Sequence, residues 1–422
     1  MWLLKGGRVL CPASGLDARL DVRVVGDRIT ALGPDLPVDG ATVLAATGLV
    51  VAPAFVDLAC ELGDPGQTWR EDLHSGSRAA AAGGYGTVVA SPATEPPIDV
   101  ASVAADVVSR ASRVAGARIL VAGALTEGLL GRELAEMNDL VEAGCVALSD
   151  GARAMGDALV LRNALEYARA LRRPVLLRPG EPTLEERGCM HEGVVSTTIG
   201  LHGIPPESEE IGLSRILALA RLAGVRVHLT HLTTARSLAL LRAAVAEGLP
   251  VTASVPARHL VLTDAAVDES GYDPNTRLLP PLRPESDRAA LVAAVRAGEL
   301  QISADHVPWS RVEKEHEFIV AVAGAVGLET AFAAALTALG DLRAVVAAMA
   351  VAPGRVLGLD PRIAIGAQAD LVVLSEADAT VGSRRASRGC NEPLQGRTLR
   401  GVVRATLVGG KLAYTAGGDV IA

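Results

Sequence analysis

Five short segments of this sequence gather residue types that hold metals and move protons. They are Val56-Asp57-Leu58-Ala59-Cys60-Glu61, Leu148-Ser149-Asp150-Gly151, Leu177-Arg178-Pro179-Gly180-Glu181, Val227-His228-Leu229-Thr230-His231 and Ile302-Ser303-Ala304-Asp305-His306-Val307-Pro308-Trp309. Each begins apolar, as a buried strand does, and ends polar. The chemistry they suggest is metal-assisted hydrolysis. A metal lowers the pKa of bound water from ~15.7 to about 7, and a carboxylate carries the proton. His231 and Asp305 are the clearest candidate ligands and Glu61 is a third. That trio could in principle hold one zinc ion, but His231 and Asp305 alone do not make a binuclear centre. Strand alternation puts Asp57, Ala59 and Glu61 on one face and Cys60, an ordinary buried thiol, on the other. His228 and His231 are three apart and face opposite ways, so His228 reads as a packed or hydrogen-bonded structural residue.

For these segments to converge they must be the ends of neighbouring strands. From Pro53 onward, β-branched runs beginning near Val56, Gly86, Ala117, Cys145, Pro174, Val225, Pro250 and Leu300 alternate with Ala/Leu-rich helical stretches. The helices include Val100–Ala115, Ala158–Leu171, Ser214–Leu222, Ala235–Glu247 and Asp287–Ala297, with Gly144, Gly224, Gly248 and Gly298 as closing glycines. Eight such units predict an α/β chain with a (β/α)₈ barrel over residues 53–357. The long connections Glu181–Glu210 and Leu260–Pro284 read as ordered lids or mouth loops. Phe318–Leu328 is apolar, too short to cross a bilayer, and reads as a buried helix. Strands are expected at Leu3–Leu10, Leu20–Val25 and Ile29–Leu32, and again at Asp370–Leu374, Leu399–Val408 and Lys411–Thr415. These ends could form two separate β units or share one.

Bulk properties narrow the function. Half of the 422 residues are hydrophobic and 21% are charged, which excludes global disorder. Aromatics are only 2%, so Ala, Val and Leu must build the core. A net charge of −8 argues against nucleic acid as a partner. Five scattered cysteines without a CxxC pair argue against disulfides and fit a reducing cytoplasm. No secretory leader or membrane span is expected.

Several further segments carry a family resemblance. Asp64-Pro65-Gly66-Gln67 through Glu71-Asp72, Ser77-Arg78-Ala79-Ala80-Ala81-Ala82-Gly83-Gly84, Gly188-Cys-Met-His-Glu-Gly193, Gly200-Leu-His-Gly-Ile-Pro205, His231-Leu-Thr-Thr234, Pro280-Pro-Leu-Arg283 and Gly327-Leu-Glu-Thr330 resemble dihydroorotases, over nearly the whole chain. Allantoinases and hydantoinases match these segments less well. The resemblance implies a barrel with one small β-sandwich built from both termini, residues 1–52 plus 358–422. It also implies a metal pair held by H-x-H on the first strand, a carboxylate or modified lysine on the fourth, histidines on the fifth and sixth, and an aspartate on the eighth.

Mapped onto those positions, this chain departs from the family. The H-x-H falls on Ala59 and Glu61, the fourth-strand ligand on Gly151 beside Asp150, and the fifth-strand histidine on Arg178. Only His231 and Asp305 keep the family residue. Substrate contacts fall on Gly63, Glu95 and Trp309. Arg178 cannot ligate a metal, and we expect it to pair with Glu61, Asp305 or both and fill the metal cavity. His306 and His259 are expected to be structural, and His191 and Glu192 to order the loop after the fifth strand.

The expected function is therefore a non-catalytic dihydroorotase homologue, with no cofactor. Asp305 would be a catalytic remnant, and His231 and Glu61 remnants of metal binding. As the resemblance implies, its partner would be the aspartate transcarbamoylase catalytic subunit, or further copies of itself. The alternative is an active cyclic amidohydrolase that opens (S)-dihydroorotate to N-carbamoyl-L-aspartate with zinc at an atypical site. A third reading is a sensor that binds a pyrimidine precursor without turnover, with Arg178 holding a carboxylate.

Overall fold

The structure is a computed structural model that describes residues 1–383 and 385–417. Residues 418–422, assigned above to the terminal unit, lie outside the described residues.

Eight parallel strands form the barrel: Phe55–Cys60, Tyr85–Ala90, Arg118–Gly123, Ala147–Ser149, Val175–Leu177, Val227–Leu229, Val251–Pro256 and Gln301–Ser303. They pair in chain order, and a parallel bridge from Cys60 to His306 joins the eighth strand to the first. Asp57 fastens this seam: its carboxylate accepts from Ala304 N at 2.5 Å and Ala59 N at 2.9 Å. Small apolar side chains, Val56, Leu58, Val89, Ala122, Ala147 and Leu176, form one buried cluster across five of the strands. The expected (β/α)₈ architecture is what the structure shows.

Helix positions follow the apolar spacing. Ala158–Leu171 matches its expected span, capped by Asp157 through Leu159 N and Val160 N. Glu207–Ala223 begins about two turns earlier than expected and ends at Gly224, whose φ of 63° allows the left-handed cap. The long connection after the fifth strand is ordered by a two-strand ladder, Met190–His191 on Gly203–Ile204.

One expected helix does not exist. Phe318–Leu328 runs as irregular chain, and the helix starts only at Ala331. Side chains, not a helical ladder, satisfy its carbonyls. Arg277 donates to the Phe318 and Ala321 carbonyls, Lys314 to Val322, Trp309 Nε1 to Ala323, Asn391 to Gly324, and Arg258 to both Ala325 and Val326. A buried backbone must find partners somewhere, and here tertiary donors outcompete local ones.

Both chain ends enter a single sheet. Its order runs Lys411–Thr415, Thr398–Val408, Leu371–Thr380, Val50–Pro53, Trp2–Cys11, Leu16–Val25, Arg28–Gly33, with Thr42–Ala45 also paired to Trp2–Cys11. The joint is antiparallel, Val50–Pro53 against Leu371–Leu374. Alternate residues serve two cores: Val372 and Leu374 pack with the barrel, Leu371 and Val373 with Val9, Val24 and Leu407.

Candidate functional site

At the carboxyl ends of the barrel strands, Ala59, Glu61, Ser149, Gly151, Thr230, His231 and Asp305 line a cavity of about 20 Å³. That is room for about one water molecule. Glu61, His231 and Asp305 thus share one space. Asp57 does not join them. A register shift between Asp57 and Cys60 breaks the strict alternation, and Asp57 turns instead to the seam described above.

His231 and Asp305 both have left-handed backbones, with φ of 59° and 47°. Non-glycine residues held this way cost about 1–3 kcal/mol each and collect at functional sites. Around His231 the loop is clamped by buried Glu209, whose carboxylate accepts from the amides and hydroxyls of Thr233 and Thr234. The His231 Nε2 lies 3.3 Å from Asp305 Oδ1, yet neither ring nitrogen makes a hydrogen bond. Burial holds the His231 pKa low, opposed by Asp305. Glu61 is pushed up to about 7 by burial and the nearby Asp305, against the pull of Arg70 and Arg153.

Arg178 does not meet either carboxylate of the cavity, which corrects the expectation. Its guanidinium binds Glu185 through two bonds of 2.8 and 2.6 Å and also donates to the Ala152 carbonyl. Glu185 sits on the short helix Pro182–Glu185 of the same connection, so the partner comes from seven residues downstream. The cation that does reach Asp305 is Arg258, at 2.6 Å. The sequence reading passed over Arg258. The hint was an arginine two residues past a barrel strand, next to the singled-out His259.

The other residues have structural partners. Asp150 accepts from Leu125 N, Thr126 N and Thr126 Oγ1, which leaves it no part in the cavity. Gly151 adopts φ 65° in the cavity wall, and Gly63 adopts φ 61° where a Cβ would strike the Gln67 carbonyl at 2.8 Å. His228 bonds Thr252 and Ser254, and His259 the Pro280 carbonyl. His306 accepts from Gly327 N and points its other nitrogen at Glu71, 3.3 Å away. His191 faces Arg283, whose guanidinium also donates to Thr233 Oγ1, so it does tie its loop down. Glu192 and Glu95 are exposed. Trp309 lies under the Arg70 guanidinium at 3.9 Å. Cys60 is a buried thiol, packed in the core outside the cavity.

A parallel barrel with an added sheet from both chain ends, and with strand-end residues turned into one cavity, is the fold shared by solved hydantoinases. Among solved structures, an L-hydantoinase (dihydropyrimidinase) from Arthrobacter aurescens matches with a TM-score of 0.86 at 21% identity, covering 99% of this chain and 96% of that one. A Dihydro-orotase-like family model matches residues 48–237. A dihydroorotase of Anaeromyxobacter dehalogenans is 41% identical over 97% of each chain, and one of Citrifermentans bemidjiense is 37% identical over 98% of this chain and 99% of its own. The chain belongs to the dihydroorotase family.

That family implies a metal pair, and the side chains here do not fit one. Ala59 and Gly151 offer no donor, Arg178 is bound to Glu185, and one Asp305 oxygen is held by Arg258. Among the described residues, no three His, Cys, Asp or Glu side chains gather closely enough to hold a metal ion.

Proposed function

We propose that this chain is a non-catalytic member of the dihydroorotase family, acting as an assembly partner of the aspartate transcarbamoylase catalytic subunit in pyrimidine biosynthesis. One observation carries the non-catalytic part: of the residues at the family's ligand positions, only His231 and Asp305 keep the family type, and Asp305 is already paired with Arg258. Without a metal-bound hydroxide the main source of rate for such hydrolysis is missing. The partner is proposed on the family resemblance together with a preserved barrel, and the reading places the protein in the cytoplasm. Co-expression with an aspartate transcarbamoylase from the same genome, followed by size analysis, tests it. Co-migration is expected, and independent elution would remove the assembly role.

A second reading is favoured by one specific observation, that Glu61, His231 and Asp305 line the same cavity. On that reading the chain is an active dihydroorotase, and a zinc ion would have to draw these three residues closer together than they stand in the structure. Relatives bearing that name match it along almost their whole length. A dihydroorotate assay with added Zn²⁺ separates the two. Turnover near or above ~1 s⁻¹, ordinary for an enzyme, would establish the second.

A further inference from the structure

Arg258 follows the seventh strand and is 3% exposed. One terminal nitrogen donates to Asp305 Oδ2 at 2.6 Å. The other reaches the carbonyls of Ala304 and Asp305 on the eighth strand's end, at 3.1 and 2.7 Å, and those of Ala325 and Val326, both at 3.1 Å. It therefore crosslinks three stretches of chain. Its carboxylate partner is itself 4% exposed, carries the left-handed backbone, and has its second oxygen turned toward His231. A carboxylate buried this deeply needs a counter-charge.

We infer that Arg258 is the fixed counter-cation of Asp305, a positioning residue that makes this end of the barrel independent of any metal ion. In the family pattern the eighth-strand aspartate faces a metal. Here a guanidinium stands opposite it, with its charge fixed at any usable pH. Unlike an ion, it cannot be chelated or exchanged, and it generates no hydroxide. Its five-point attachment also holds Asp305 in the strained conformation. The inference deepens the non-catalytic reading and rests on it for metal independence, whereas the Arg258–Asp305 coupling stands by itself.

The test uses the full chain as wild type, Arg258→Met, Asp305→Asn and the double variant, melted with and without EDTA while dihydroorotate turnover is followed in parallel. EDTA is expected to leave the wild-type Tm within about 1 °C. Arg258→Met is expected to lose about 3–6 °C, because it leaves a buried charge unpaired. The double variant should lose no more than Arg258→Met alone, since the two residues act through one another. Should Arg258→Met fail to fold, Arg258→Lys takes its place in the cycle, keeping the charge but not the fork. Additive losses in the double variant, or a wild-type Tm that drops with EDTA, would overturn the inference. Turnover with the coupling intact would overturn only the non-catalytic reading.

Discussion

Buried charges in this barrel end find partners that only the folded chain reveals. Arg178 pairs with an acid, as its place at a family metal-ligand position implied, but the acid is Glu185, supplied by a helix of four residues. Nothing in the spacing of Arg178, Glu61 and Asp305 could rank these acids, because ranking needs the loop path. Removing Glu185 should strand a 2%-exposed guanidinium. Glu185→Ala is expected to lose about 3–5 kcal/mol of stability, read as a lower urea midpoint with an unchanged m-value. Glu61 gives a pH signature. Its folded pKa of about 7 lies above the ordinary ~4.3, so the folded state holds the proton more tightly. Its stabilising contribution is complete below about pH 4.3 and is lost as pH rises through 7. Asp57, pushed up to about 6 by burial, acts in the same direction. Glu61→Gln is therefore expected to gain roughly 1–3 kcal/mol on wild type at pH 8 and almost nothing at pH 4.5. A variant whose advantage is equal at both pH values would contradict the raised pKa.

Regular elements were legible where periodicity repeats and illegible where partners are distant. All eight barrel strands and the main helices follow from alternating apolar runs and closing glycines. Phe318–Leu328 has the composition of a buried helix and is not one, because Arg258, Arg277, Lys314, Trp309 and Asn391 take its carbonyls. A composition rule sees the apolar run and not the donors, which sit up to 68 residues away. Asn391 is the most telling of them. It comes from the stretch between two strands of the terminal sheet, donates to the Val307 and Gly324 carbonyls at 2.8 and 3.0 Å, and accepts from Trp309 N at 2.9 Å. Asn391→Ala takes their side-chain partner from three backbone groups, one buried and two part-buried. A loss of about 2–4 kcal/mol is expected, together with faster proteolytic cutting between residues 318 and 326. Unchanged cutting would show that the segment holds its path without this anchor.

At the scale of the molecule, the sequence announced the barrel through its eight repeats, whereas the shared terminal sheet rested on family resemblance. Two short strands, Thr42–Ala45 and Val50–Pro53, escaped the reading because four-residue apolar runs carry little periodic signal. Yet Val50–Pro53 is the joint between the two ends of the chain. A chain stopped after Leu357 would expose this edge and lose Val372 and Leu374 from the core. It is expected to accumulate as insoluble protein, and adding residues 358–422 as a separate chain should raise the soluble fraction.

The same joint sets a clock on biosynthesis. Leu371 can reach Pro53 only after the whole barrel has been translated, roughly 320 residues and, at ~5–20 residues per second, about 16–64 s later. Through that interval the nascent chain carries an open β-edge at its beginning, so the protein is most vulnerable before it is finished.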